Sequence, residues 1–392
     1  VAETYPIDPI TLRIDGVDWT YWQTVEITRA VDAVAGSFAL GLVERWGDSQ
    51  SGMQSLPIAA GQSCEVLIGS DQVIKGYIDK VSSAFSAAGH VITVTGRDAS
   101  ADLVDCSAIH KPGQWSGLTC AGLAKILAAP FGVAVSTEGD VGAVLPTFKL
   151  EPAEKAFDAL ERALNQRECF ACPDGKGGMV ILKIGSRTSQ GNFKQAVNIK
   201  EASLECDISK RHSIYIVQAQ KPGNDNEYGV AACAVTSSIT DEAVTRYRPM
   251  LIKAENSADT GTARQRAAWE KTVRAGRSVT VRVVVQGFRQ LGVGSEQNGP
   301  LWEINSMTEV DIPYLRLQQR LLISKVVFKR SIQSGSTTEI ELRDPAAFQP
   351  EPKKLKDTTG GGSKSNLTVE KEMDIQTRLA SDANNANKGV KR

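Results

Sequence analysis

Residues 91–108 read VITVTGRDASADLVDCSA. The first residues alternate, with Val91 and Thr93 on one side of a strand and Ile92 and Val94 on the other. Gly96 breaks the alternation, and the residues after it do not form the sequence of a simple hairpin turn. The stretch reads as the exit of one β-domain and the point where another domain is inserted. Gly96, Arg97 and Asp98 are expected at the strand end, with Arg97 and Asp98 as a paired structural device. Asp102 and Asp105 are expected to steer the crossing into the insert.

Upstream, the pattern is that of a small barrel or sandwich. Ile10–Ile14 alternates, Asp15-Gly16 is a hairpin signal, and Val17–Trp19 begins the return. Val25–Arg29, Phe38–Leu42, Cys64–Ile68 and Val73–Ala84 are strand-like, separated by turn-prone residues and by a Gly- and Ser-rich loop from Trp46 to Gly61. Residues 1–99 are therefore expected to form a first tube-like barrel.

After Ala108 the period changes. Thr119 can cap a helix carrying Leu123, Ile126 and Leu127, which ends at Pro130. Pro152 suits the first position of a second helix, on which Phe157, Leu160 and Leu164 share a face. Met179–Ile184 is a strand. Residues 100–200 are expected to be an α/β insert.

From Leu204 the strands resume: Ser213–Gln218, Val230–Val235, Ser278–Gln286, Leu301–Met307, Arg320–Lys329 and Thr337–Leu342. A helix over 259–274 turns Ala263, Ala267 and Trp269 inward, with Arg266, Glu270 and Arg274 four apart. Trp269 is expected to anchor this helix on a second tube-like barrel spanning 201–350. Beyond it, residues 351–392 carry the linker Gly360–Gly362 and a polar end, a flexible tail that is either disordered or awaiting a partner.

The opening stretch has an echo. Ile78-Asp-Lys80-Val81 precedes an alternating strand ending in Arg97-Asp98; Ile323-Ser-Lys325-Val326 precedes one ending in Arg343-Asp344. The lysine-to-arginine spacings are 17 and 18 positions. Two related barrels flanking an α/β domain, in a mainly β chain, are the expected architecture. Three chains with two such units each can build a ring of pseudo-six-fold symmetry.

Composition narrows the function. The 392 residues carry 45 basic and 45 acidic side chains, so no overall field draws the chain to nucleic acid or an anionic membrane. Residues Ala2 to Pro9 lack a signal-peptide pattern. The longest apolar run, Ala121 to Val135, is interrupted by Lys125, Pro130 and Gly132, so no membrane insertion is expected. Seven cysteines in no framework spacing fit free thiols.

Chemical motifs are weak. Asp105, Ser107 and His110 have the residue types of a triad but are neighbours in one turn. Cys169 and Cys172 lack a second metal-binding pair and do not open a helix, so buried thiols are expected. Gly175–Gly178 lacks the phosphate-loop pattern, and Asp241-Glu242 is a carboxylate pair of a kind common in solvated loops. No enzyme, cofactor or metal is expected. A peptidoglycan hydrolase or a carbohydrate-binding β-protein is the alternative from another class.

The exit motif, together with Arg266–Arg277 and the Gly299-Pro-Leu-Trp-Glu-Ile-Asn305 stretch, resembles the baseplate hub proteins of Mu-like contractile-tailed phages. Their superfamily includes the late-control D proteins, the T4 hub protein and the N-terminal part of type VI secretion VgrG spikes. The resemblance implies a virion protein assembled in the host cytoplasm as a homotrimeric ring. Its implied partners are the tail tube protein, the central spike protein, and baseplate wedge and tape-measure proteins, with DNA passing through the lumen. The hub of a tailocin or type VI-like injection machine is the related alternative. A lumen that is not strongly basic is expected, since phosphate contacts would retard DNA.

Overall fold

The structure, a computed structural model, describes residues 8–44, 58–86, 89–220, 234–254, 260–290 and 299–351. The expected flexible tail lies outside these residues apart from Glu351, as does most of the Trp46–Gly61 loop.

Seven strands come first: β1 (Ile10–Ile14), β2 (Val17–Trp19), β3 (Thr24–Ala30), β4 (Ser37–Glu44), β5 (Ser63–Ile68), β6 (Asp71–Ser86) and β7 (Gly89–Asp98). The β1–β2 turn uses Asp15 and Gly16, both at positive φ (50° and 80°), the backbone a two-residue hairpin requires. The chain then forms α1 (Ala101–Asp105), β8 (Gln114–Leu118), α2 (Cys120–Ala128), β9 (Val135–Thr137), β10 (Leu145–Lys149), α3 (Ala156–Asn165), β11 (Phe170–Pro173) and β12 (Met179–Leu182). Short strands β13 (Arg187–Thr188) and β14 (Phe193–Lys194) lead to β15 (Glu201–Cys206). After these come β16 (Ile214–Gln220), β17 (Ala234–Thr240), β18 (Pro249–Lys253) and α4 (Thr260–Arg277). The last strands are β19 (Val279–Gln286), β20 (Ser306–Ile312), β21 (Leu317–Ser331) and β22 (Gly335–Arg343), closed by a 3₁₀ turn at Pro345–Phe348.

The early and late strands share one sheet of order β15-β19-β22-β21-β3-β4-β7-β6-β5-β1-β2, with β20 on β21 and β13 and β14 running parallel to β20. The join is antiparallel pairing of β21 with β3, from Lys325 opposite Ala30 to Arg330 opposite Val25. Alternation sends Ile27, Phe38, Leu40 and Val94, and equally Val283, Val326, Phe328 and Ile340, into one contiguous core. Burial of so many full-size apolar side chains is the main stabilising term, each worth about 1.5–3 kcal/mol relative to exposure.

The α/β unit has its own core, built from Leu123, Leu127, Leu160, Leu164 and Ile181, among others, with Val34 reaching in from the barrel side. Thr119 caps α2 as expected, its hydroxyl oxygen accepting from Gly122 N at 3.1 Å. Pro152 does not open α3: Lys155 is the N-cap, and Ala153 at φ 60° keeps the intervening residues out of helix. The unit's own core reaches only to Ile181, and β13 and β14, which fall before 200, join the large sheet instead.

A further difference lies in 214–253. These strands, expected in the second barrel, form a separate sheet of order β17-β16-β18. The helix α4 packs on it through Ala263 and Ala267, which meet Tyr215, Val217 and Val235. The helix continues past the expected end at 274 to Arg277.

Candidate functional site

The two strand exits superpose by ladder register. In the first, Tyr77 faces Arg97 and Ile78 faces Gly96; a bulge at Asp79 comes next, and Lys80 faces Thr95. In the second, Leu322 faces Arg343 and Ile323 faces Leu342; a bulge at Ser324 comes next, and Lys325 faces Glu341. The sequence echo is thus the same bulge in the same ladder. The neighbours match too: β5 meets β6 with Ser63 opposite Tyr77, and β20 meets β21 with Met307 opposite Leu322.

At the first exit Gly96 has no room for a side chain. A Cβ there would overlap the Tyr77 carbonyl oxygen and lie 2.7 Å from the Phe38 ring. Arg97 and Asp98, successive on a strand, point to opposite faces, so they do not pair with each other. Arg97 Nε meets Asp79 Oδ2 at 2.7 Å and its Nη2 meets Asp105 Oδ2 at 2.8 Å, all partly exposed. This clamp ties the bulge to the end of α1. Asp98 turns inward and is 1% exposed. Its carboxylate accepts from Gly36 N at 2.9 Å and Lys75 N at 3.1 Å. Burial outweighs those bonds and pushes its pKa up to about 6, with Arg29 partly offsetting the rise. Asp102, on α1, is also raised, chiefly by burial, with the Arg97 charge opposing.

The second exit is built differently. Arg343 Nε bonds Glu341 Oε1 at 2.6 Å. Asp344 lies at the surface and caps the 3₁₀ turn, accepting from Ala346 N at 2.8 Å. Trp269 is half-buried and meets the residues just after that turn, its indole N–H donating to Gln349 O at 2.8 Å with the Arg266 guanidinium 4.8 Å from the ring centroid. Glu270, four from each of two arginines, is 7% exposed and held between Arg266 Nη2 at 2.9 Å and Arg274 Nε at 2.8 Å.

Sequence reasoning missed Arg29. It is 8% exposed, and its Nη2 donates to Pro173 O at 2.8 Å, fastening the sheet to the α/β unit. An arginine in an alternating strand gives no such signal, because its partner is 144 positions away.

The groups with chemical potential have structural partners. Cys169 belongs to the α/β core and Cys172 to the sheet core, so the two thiols face different interiors. Burial pushes Cys172 up to about 12, the opposite of a reactive thiolate. Asp105 is engaged with Arg97, and burial lowers His110 to about 4, with its ring edge-on to Trp115. Asp241 is 2% exposed and bound to Arg211 Nε at 2.6 Å. Among the described residues no cluster of His, Cys, Asp and Glu is arranged to hold a metal.

Comparison with known proteins gives the same outline. Family models match three stretches: a Mu phage baseplate assembly protein GpP-like N-terminal domain over 9–98, a baseplate hub protein gp44-like second domain over 100–183, and a Mu phage baseplate assembly protein GpP fourth domain over 259–351. The baseplate hub protein gp44 of Escherichia phage Mu is 32% identical over 367 residues, covering 91% of this chain and 94% of that protein. The 43 kDa tail protein of prophage MuSo2 from Shewanella oneidensis has a TM-score of 0.77 at 29% identity, covering 88% of this chain and all of that one. A tail protein from Neisseria meningitidis MC58 shares the fold, with a TM-score of 0.71 at 22% identity and coverage of 88% and 98%. The chain belongs to the baseplate hub protein family of Mu-like phages, as a structural component of the tail baseplate and not an enzyme.

Proposed function

We propose that three copies of this hub protein close into a ring that adapts the six-fold tail tube of a contractile tail to its three-fold central spike, and that DNA passes through the ring during injection. The repeated ladder carries this reading. Each chain brings two equivalent strand sets, so three chains present six near-equivalent units to a tube and three identical ones to a spike. The sheet face turned away from the core is a suitable lumen wall. It carries Lys325, Lys329 and Arg282 among Glu26, Glu339 and Glu341, with Lys329 Nζ 2.5 Å from Glu339 Oε2. Mixed charge of this kind gives phosphates no continuous basic track to adhere to.

The test is the native mass of the full chain, read with a negative-stain image. A mass three times that of the chain and a hollow particle are expected; a compact monomer would reject the ring. The tail 351–392 is assigned to a baseplate partner, the spike being the first choice. A chain ending at Pro350 should still form the ring and fail to bind that partner, and unimpaired baseplate assembly would remove the role.

A further inference from the structure

Inside the chain, β21 uses both of its edges. Past the bulge at Ser324 one edge pairs with β22 and the other with β3. The matching part of β6 uses only one. Its pairing with β5 ends at Tyr77, and beyond Asp79 only β7 lies alongside among the described residues. Lys80, Ser82, Ser83 and Ala84 are exposed on this open edge.

A second edge is open at the other end of the sheet. The strand β15 stands to β19 and β22 as β3 stands to β4 and β7. Leu204 faces Val281, which faces Leu342; Ile27 faces Phe38, which faces Gly96. The far edge of β3 is taken by β21, whereas that of β15 has no strand on it among the described residues, and five of its six residues are exposed. Unpaired backbone donors and acceptors along two such edges favour pairing with another chain.

We infer that the open edge of β6 pairs antiparallel with β15 of the next copy of this chain, in the register that β21 and β3 use within it. The inference rests on the ring reading and says how the ring closes. Carrying the internal register across sets Lys80 opposite Asp207, Val81 opposite Cys206 and Ser83 opposite Leu204, ending with Ala84 opposite Ser203. The chemistry agrees with the geometry. Lys80 and Asp207 carry opposite charges, and both are exposed in the single chain. Val81 and Leu204 already lean on the sheet core from either end, so the pairing would continue that core across the junction.

The register supplies its own probe, because Cys206 is a free and exposed thiol. Directly opposed residues of an antiparallel ladder lie about 4.5–5.5 Å apart at Cα, within disulfide reach. Val81→Cys in the full chain, mildly oxidised, should convert the monomer band of a non-reducing gel to covalent dimer and trimer. Peptide mass should show an 81–206 link, and adding Cys206→Ser should abolish it. Ser82→Cys with Glu205→Cys, on the other face of the same register, is an independent second pair in case Val81→Cys disturbs folding. The native mass of the unmodified chain is measured alongside. A trimer in which neither pair cross-links, or in which residue 81 links to a different cysteine, overturns the strand pairing and leaves the ring standing. A monomer removes both.

Discussion

At Gly96 the first strand set leaves no space for a side chain, while the matching position of the second set buries Leu342 completely. Two residues on, Asp98 is locked inside and Asp344 sits at the surface. Yet the ladder around both is the same, down to the bulge. Hydrogen-bond register and bulge position set the shape of the sheet, and they are shared. The exits answer to what comes next: an α/β unit in one case, a short 3₁₀ turn against α4 in the other.

The contrast can be broken by exchanging parts. Gly96→Leu installs the second set's residue in the first. Its Cβ would collide with the Tyr77 carbonyl and the Phe38 ring, and the expected loss is about 3 kcal/mol or more in urea unfolding. A loss below about 1 kcal/mol would mean that the two exits are interchangeable. Asp98→Ala strips the acceptor from two backbone N–H groups and should cost about 2–3 kcal/mol, whereas Asp344→Ala removes one surface cap and should cost about 1. Equal losses would erase the distinction between buried and surface exits.

A pH series sharpens the same point. The folded-state pKa of Asp98, about 6, lies above its ordinary 3.8, so between those values the folded chain holds a proton that the unfolded chain has released. The contribution of this group is therefore greatest below about pH 4 and declines as pH rises through 6. Relative to Asp98→Asn, the wild type should gain on the order of 2 kcal/mol between pH 7 and pH 4. A constant difference would show that the carboxylate is well solvated. The smallest effect is expected from Arg97→Ala, under about 1 kcal/mol because both of its ion pairs are partly exposed. A larger loss would make the clamp between the bulge and α1 a major support.

Alternation and turn residues were enough to place most strands, and Lys80-Val81 against Lys325-Val326 was enough to reveal the repeat. The pairing of β3 with β21 was hidden, because nothing local in Val25–Ala30 says that its partner lies some 300 residues on. The separate sheet of β16, β17 and β18 was hidden for the same reason: its strands read like any others, and only α4 lying across them sets them apart. At the candidate site, the importance of Gly96 was legible but the opposed directions of Arg97 and Asp98 were overlooked, although strand alternation alone requires them. The depth of Asp98 was not legible, since carboxylates are rarely so buried and its two partners come from Gly36 and Lys75.

The bulges also switch parity. Along β21 the core takes odd-numbered residues, Leu317, Leu321 and Ile323, up to Ser324, and even-numbered ones, Val326 and Phe328, after it. Along β6, past an earlier register shift at Val73, the change is from even, Ile74 and Ile78, to odd at Val81. Around each of these two bulges the apolar pattern is therefore written in two phases with one residue of slip between them. Deleting Ser324 would join the phases: Ile323, Val326 and Phe328 would still face the core and Lys325 the outer face, now in one unbroken alternation. What the deletion would remove is the bulge itself, with the Ser324 carbonyl that accepts from Val31 N at 2.9 Å, so the extra residue serves the bend of the strand and its neighbour while the side-chain pattern is read around it.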